Sequence, residues 1–159
     1  MITNKFTHHY CSTICAVLCY VWTPFPQALA HEVCARAVYM RAESSLVDAK
    51  KSWPSLFRHH RSFTACDDGA LGEGYSDAVA TLLANKWDQL SVFVALSKKY
   101  PDFYRWVIRH IDATASEDDL KLIIINADSC INKGIAKAPC ETIRRSAVMA
   151  LQELERIRK

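Results

Sequence analysis

The stretch YSDAVATLLANKWDQLSVFVALSKKYPDFYRWVIRHI, residues 75–111, repeats apolar side chains at helical spacing three times over. Tyr75, Ala78, Val79, Leu82 and Leu83 share one face of a helix with a period near 3.6. Asp88 stands where an N-cap belongs, and Leu90, Phe93, Val94 and Ser97 align behind it until Pro101 stops the turn. The pattern restarts at Pro101-Asp102, with Phe103, Trp106, Val107, His110 and Ile111 at i, i+3, i+4, i+7 and i+8. Three short amphipathic helices in succession, with no alternating window among them, make the fold all-α.

Working outward, Asp112–Ala115 is a break. Ser116 then caps a helix running to Cys130, with Asp119 at the S-x-x-[DE] spacing that lets a side chain reach back to a free amide. Leu120, Ile123, Ile124 and Ala127 form its buried face; Ile125, in a run of three isoleucines, equally suits a strand, but the cap and the length decide for helix. Asn132-Lys133-Gly134 ends that unit, and a last helix begins near Pro139. Ile143, Ala147, Ala150, Leu151 and Leu154 line one of its sides, and Arg156, Arg158 and Lys159 complement its C-terminal dipole.

The N-terminal third is less regular. Val33, Ala37, Met40 and Val47 are compatible with a helix, Ser44 or Ser45 is placed to cap a short helix to Lys51, and Ser52-Trp53-Pro54 opens another through Phe57 to His60. Gly69, Gly72 and Gly74 follow within six residues, at a cost of about 2–3 kcal/mol in a helix interior. That segment is either a loop or a helix kept because a neighbour packs against its bare backbone. The expected architecture is an irregular array of five to seven short helices, stacked as αα-hairpins.

Residues 1–30 read as a secretory signal. Lys5 precedes an apolar run from Cys11 to Trp22, broken only by Ser12 and Thr13; Pro24 and Pro26 then end it, and Ala28-Leu29-Ala30 offers small residues for cleavage. The run is too short for a membrane span, which needs about 20 residues. Neither Cys19 nor Cys34 follows the small residue a lipid anchor requires. Cleavage after Ala30 leaves one domain, residues 31–159, without a membrane span, periplasmic or secreted. Only Lys5 is lost from 20 Lys+Arg against 17 Asp+Glu, so the mature charge is +2. That is a mixed surface, without the basic stripe of a nucleic-acid binder.

Seven cysteines fall to four after cleavage: Cys34, Cys66, Cys130 and Cys140. An even count in an exported chain reads as two disulfides. Three pairings are open; nearness in the chain favours Cys34 with Cys66 and Cys130 with Cys140. No C-x₂-C spacing marks a zinc site.

One stretch has the residues for chemistry: RHHRSFTACDDGALGEGYSD, residues 58–77. Asp67, Asp68, Glu73, Tyr75 and Asp77 are the candidate binding residues, because polar, glycine-rich segments on rigid scaffolds contact ligands. His59, His60, Asp67 and Asp68 form an alternative metal or acid–base set, although their spacing matches neither a helical H-E-x-x-H pair nor a calcium loop. The plain reading puts the two histidines on an exposed turn and the two aspartates at a helix N-terminus. His110 lies on an apolar face and reads as a hydrogen-bonded structural residue, with Arg109 and Asp112 placed to form a polar knot before Ser116. Trp53, Trp87 and Trp106 belong in or near the core; Tyr39, Tyr75, Tyr100 and Tyr104 are expected partly exposed, as interface aromatics are. Ser76 and Ser97 lack the G-x-S-x-G frame of a nucleophile elbow. Nothing calls for a cofactor, and no catalytic constellation stands out.

The stretches CDDGALGEGYSDAVATLLANKWDQL, residues 66–90, and LSKKYPDFYRWVIRHIDATASEDDL, residues 96–120, resemble a group of small exported bacterial proteins of unknown function, short and helical with a late cysteine pair. The likeness runs from about Cys66 to Cys140 and brings no catalytic residues with it. In size, export, helicity and disulfides the chain is also similar in general character to the immunity proteins of type VI secretion amidase effectors. That similarity implies a protein partner: an exported inhibitor of a cell-wall-targeting toxin, acting by steric occlusion. The competing expectations are a metal-dependent enzyme or module centred on His59–Asp77, and a structural envelope protein with no specific ligand.

Overall fold

A computed structural model describes residues 34–133 and 136–159. The expected signal sequence, Val33 and Gly134 lie outside them. Among the described residues there are seven α-helices and no strand: α1 (Arg36–Ala49), α2 (Trp53–Phe63), α3 (Gly69–Asn85), α4 (Leu90–Lys99), α5 (Pro101–Arg109), α6 (Glu117–Asn132) and α7 (Lys137–Ile157). Short 3-10 turns at Thr64–Cys66 and Trp87–Gln89 lead into α3 and α4. None of the described helices is long and apolar enough to cross a membrane.

Consecutive helices pair as α1/α2, α4/α5 and α6/α7, and α3 packs against α1 on one side and α6 on the other. The central place of α3 follows from its composition. Leu71, Tyr75, Ala78, Val79, Ala80, Leu82 and Leu83 are each 1% exposed or less, so the helix is apolar around most of its circumference. Its glycines are compatible with helix for a local reason: a Cβ at Gly74 would overlap Leu46 Cδ2 of α1, so the bare backbone is what lets the two helices close. Of the two alternatives for this segment, the packed helix is the one formed. Gly69, at φ +53°, makes the left-handed entry into it.

The helix ends show which local signals act. Ser52 accepts from the Ser55 amide and Pro54 sits in the first turn of α2; Asp68 accepts from the Gly69 amide at 2.7 Å; Ser116 accepts from the Asp119 amide at 3.1 Å. The Asp119 carboxylate does not reach back to the backbone. It accepts from the Ser116 hydroxyl and from Asn85 Nδ2, tying α6 to the end of α3. Asn126 Nδ2 donates to the Leu83 and Ala84 carbonyls, supplying bonds that the last turn of α3 lacks.

Two expectations are corrected. Asp88 does not cap α4; it lies inside the 3-10 turn, and Gln89 precedes the helix without a side-chain cap. Ser44 and Ser45 start no helix, because α1 is continuous to Ala49 and both hydroxyls donate back to the Arg41 carbonyl. Ala37, Met40 and Val47 lie in α1 as expected; Met40 and Val47 are 55% and 66% exposed, and Ala42 and Ala49 carry the buried face of the helix.

The disulfides are Cys34–Cys66 and Cys130–Cys140, with Cα atoms 4.8 and 6.2 Å apart. The first ties the start of α1 to the turn before α3; the second joins α6 to α7. Aromatic rings run between α2, α4, α5 and α3: Trp53 on Phe93 at 4.5 Å, Phe103 on Trp106 at 5.6 Å, Trp106 against Tyr75 at 5.1 Å. This run delivers Trp106 and the end of α5 to the start of α3.

Candidate functional site

The start of α3 and the end of α5 enclose an open polar cleft of about 390 Å³, lined by Asp67, Asp68, Glu73, Arg109, His110 and Asp112 among others. Its floor is a chain of hydrogen bonds. Asp67, placed by the Cys34–Cys66 bridge next to it, accepts from Trp106 Nε1 at 2.7 Å and from His110 Nε2 at 3.2 Å, both through Oδ2. On its other side His110 Nδ1 lies 3.0 Å from Ser76 Oγ. The Ser76 hydroxyl lies 2.7 Å from Asp112 Oδ2 and 3.3 Å from the Gly72 carbonyl. Asp112 Oδ1 accepts from the Thr114 amide and hydroxyl, which closes the turn ahead of α6. Burial pushes the Asp67 carboxyl up, but the bonds from His110 and Trp106 outweigh it and hold the group below its ordinary value.

Asp67, Ser76 and His110 bring the residue types of a hydrolytic triad together, but not its arrangement. Ser76 is 1% exposed, and its single proton has Asp112 as a close acceptor. The imidazole faces serine through Nδ1 and aspartate through Nε2. In the serine triad it faces them the other way round, with a base free to take the hydroxyl proton. The constellation is a buried polar tie between α3 and α5.

The histidines of α2 are also structural, not on an exposed turn. His59 is buried; its Nε2–H donates to the Ala42 carbonyl at 3.0 Å, and Nδ1 accepts from the Tyr75 hydroxyl at 2.9 Å. Burial lowers its pKa, partly offset by that carbonyl. His60 stacks on Trp106 at 4.3 Å, and burial pushes its pKa down to about 4 against the pull of Asp67, so the ring is neutral at physiological pH. With both His59 nitrogens engaged and Asp67 occupied by Trp106 and His110, the set His59, His60, Asp67, Asp68 does not converge on a cation. No metal-holding group of three or more His, Cys, Asp or Glu occurs among the described residues.

Of the candidate binding residues, the cleft gathers Asp67, Asp68 and Glu73. Asp77 is exposed but pairs with Lys50 at the end of α1 and does not line the cleft. Tyr75 is corrected outright: it is fully buried on the central helix α3, where its hydroxyl donates to His59 Nδ1; burial raises its phenol pKa. Tyr39, Tyr100 and Tyr104 are partly exposed as expected, and Trp53 and Trp106 are core residues. Tyr75→Phe would leave His59 Nδ1 without a donor in the core. The expected cost is about 1–2 kcal/mol, read as a lower urea midpoint, with the cleft surface unchanged. A variant as stable as the parent excludes this role.

The polar knot foreseen at Arg109, His110 and Asp112 is present for His110 and Asp112, joined through Ser76. Ser76, Trp106 and Thr114 join the site without a signal in the sequence; the hydroxyl of Ser76 lies 3.3 Å from the carbonyl of Gly72, one turn back. No protein-family model, curated protein or solved structure matches the chain.

Proposed function

We propose that the chain is an exported protein-binding protein, and more sharply an immunity-type inhibitor that occludes a cell-wall-targeting toxin. One observation carries the reading. The groups on the cleft floor that are suited to chemistry are spent on one another, while the Asp68 and Glu73 side chains stand exposed at its rim. Such a cleft suits recognition of a shape and a charge, and a basic side chain on a partner's loop fits it. The hydrogen-bonded floor and the neighbouring disulfide lower the ordering cost of binding. Two disulfides support an oxidising compartment, periplasmic or secreted.

The test titrates oxidised protein into a panel of cell-wall amidases delivered by type VI secretion, measuring activity and complex formation. The expected result is stoichiometric inhibition of one of them, weakened at least about tenfold by Asp68→Lys with Glu73→Lys, a loss typical of interface charges. Binding that survives the double reversal moves the interface away from the cleft. If none of the amidases is inhibited, the immunity form falls. If cross-linking in the native compartment also finds no protein partner, the binding reading falls with it, and a structural envelope role is left.

A further inference from the structure

The hydrogen bonds at His110 cannot all be made with one ring proton, and this has a functional consequence. Asp67 Oδ2 only accepts, so the 3.2 Å contact requires a proton on Nε2. Asp112 Oδ2, 2.7 Å from Ser76 Oγ, also only accepts, so the hydroxyl proton points there. Ser76 Oγ then presents lone pairs to Nδ1 at 3.0 Å, and that contact requires a second ring proton. The complete chain Asp67–His110–Ser76–Asp112 therefore belongs to the imidazolium. When the ring is neutral, the carboxylate of Asp67 keeps the proton on Nε2. Nδ1 and Asp112 Oδ2 are then two acceptors competing for one hydroxyl proton.

We infer that His110 is a proton-operated latch, which holds the turn 110–115 against α3 when doubly protonated and loosens it when one proton leaves. The groups facing the ring define its surroundings. Asp67 approaches from the turn before α3, Ser76 from α3, and Arg109 and Trp106 lie on the ring's own helix. His60 on α2 is neutral, Tyr75 presents its ring at 5.8 Å, and Asp112 follows in the turn. Asp68 and Glu73 stand further out, on the cleft walls. Within the turn Asp112 bonds to Thr114 and the Ala115 amide donates to the Asp112 carbonyl, while Ile111 and Ala115 are buried in the core, so the part free to respond is the polar edge at Asp112–Thr114. Either way the competition resolves, one of the two contacts that Ser76 makes with this segment is lost, and the hold of the turn on α3 is weakened. The latch does not depend on the identity of any partner.

The experiment is NMR on the oxidised protein from about pH 5 to about pH 8, the range in which imidazoles change charge. It follows the His110 ring nitrogens, together with the Thr114 and Ala115 amides and their hydrogen exchange. The expected result is that both amides shift, and their protection falls, with the same midpoint as the His110 ring. Ser76→Ala is expected to abolish the amide response while His110 still titrates, because the relay to Asp112 is gone. The inference is overturned if His110 titrates without the Thr114 and Ala115 amides following. It is equally overturned if those amides follow His110 unchanged in Ser76→Ala. Should that variant not fold, Asp112→Asn serves in its place: its amide group offers Ser76 a different partner, and a response identical to the parent's overturns the latch.

Discussion

Reduction of both disulfides is expected to lower the stability of the domain by about 6 kcal/mol, enough to unfold much of the population at 37 °C. The estimate follows from the loops they close. Cys34 and Cys66 are 32 residues apart and Cys130 and Cys140 are 10 apart. Loop-closure entropy assigns about 3.7 kcal/mol to the first and about 2.7 kcal/mol to the second. Against a total of about 5–15 kcal/mol for a typical domain, the two together are a large fraction. The longer loop contains α1 and α2, which also meet α3 through the Leu46–Gly74 approach, the Lys50–Asp77 pair, and the hydrogen bond and edge-on ring contact of His59 with Tyr75. Urea denaturation of Cys34→Ala/Cys66→Ala and of Cys130→Ala/Cys140→Ala, compared with the oxidised parent, measures each part. The first pair of substitutions is expected to cost more than the second. Equal midpoints for reduced and oxidised protein would show that the bridges carry no stability.

How far the fold was readable from the sequence depended on whether each signal was local. Ser116 with Asp119, Ser52 with Pro54, and Pro101 announce helix starts through groups within one turn, and the helices begin there. The apolar periodicity of Ala78, Val79, Leu82 and Leu83 marks a buried face in the same way. Asp88 misled because a 3-10 turn intervenes before α4, and that choice is settled by packing. Gly69, Gly72 and Gly74 are ambiguous in the same way: what lies against Gly74 is Leu46, 28 positions earlier in the chain. The site was legible only as a polar segment. Its decisive bonds join Asp67 to Trp106 and His110, 39 and 43 residues away, and Ser76 to His110 and Asp112, 34 and 36 away. No periodicity encodes such distances, so the sequence alone leaves Tyr75 a partly exposed aromatic and shows in Ser76 only the absence of a nucleophile frame.

Replacing Asp67 by alanine is expected to cost about 3 kcal/mol, far more than the same change at its neighbours. The carboxylate and His110 are mostly buried, at 17% and 11% side-chain exposure, and Trp106 Nε1 depends on the same oxygen. Removing it leaves two donors, Trp106 Nε1 and His110 Nε2, without an acceptor in a mostly buried site, and each such loss costs about 1–3 kcal/mol. Asp68→Ala removes one helix cap, about 1 kcal/mol, and the exposed Glu73 is worth within about 0.5 kcal/mol. Acid acts on the same group. The folded-state pKa of Asp67 lies below its ordinary value, so its stabilisation is fully present above the unfolded pKa of about 3.9 and is lost as the pH falls through the lower folded value. Asp67→Ala is therefore expected to flatten the stability curve at its acid end, which denaturant midpoints taken at a series of pH values will read. The contrast also separates architecture from recognition. Glu73 is expected to move partner affinity at nearly unchanged stability, and Asp68 to move it at the cost of its helix cap alone. Asp67 moves both, because the carboxylate that shapes the cleft is the one that fastens α5 to α3. Should Asp67→Ala prove no less stable than Asp68→Ala, the hydrogen-bonded floor would not be what holds the cleft, and neither the occlusion reading nor the latch would have a rigid frame to act on.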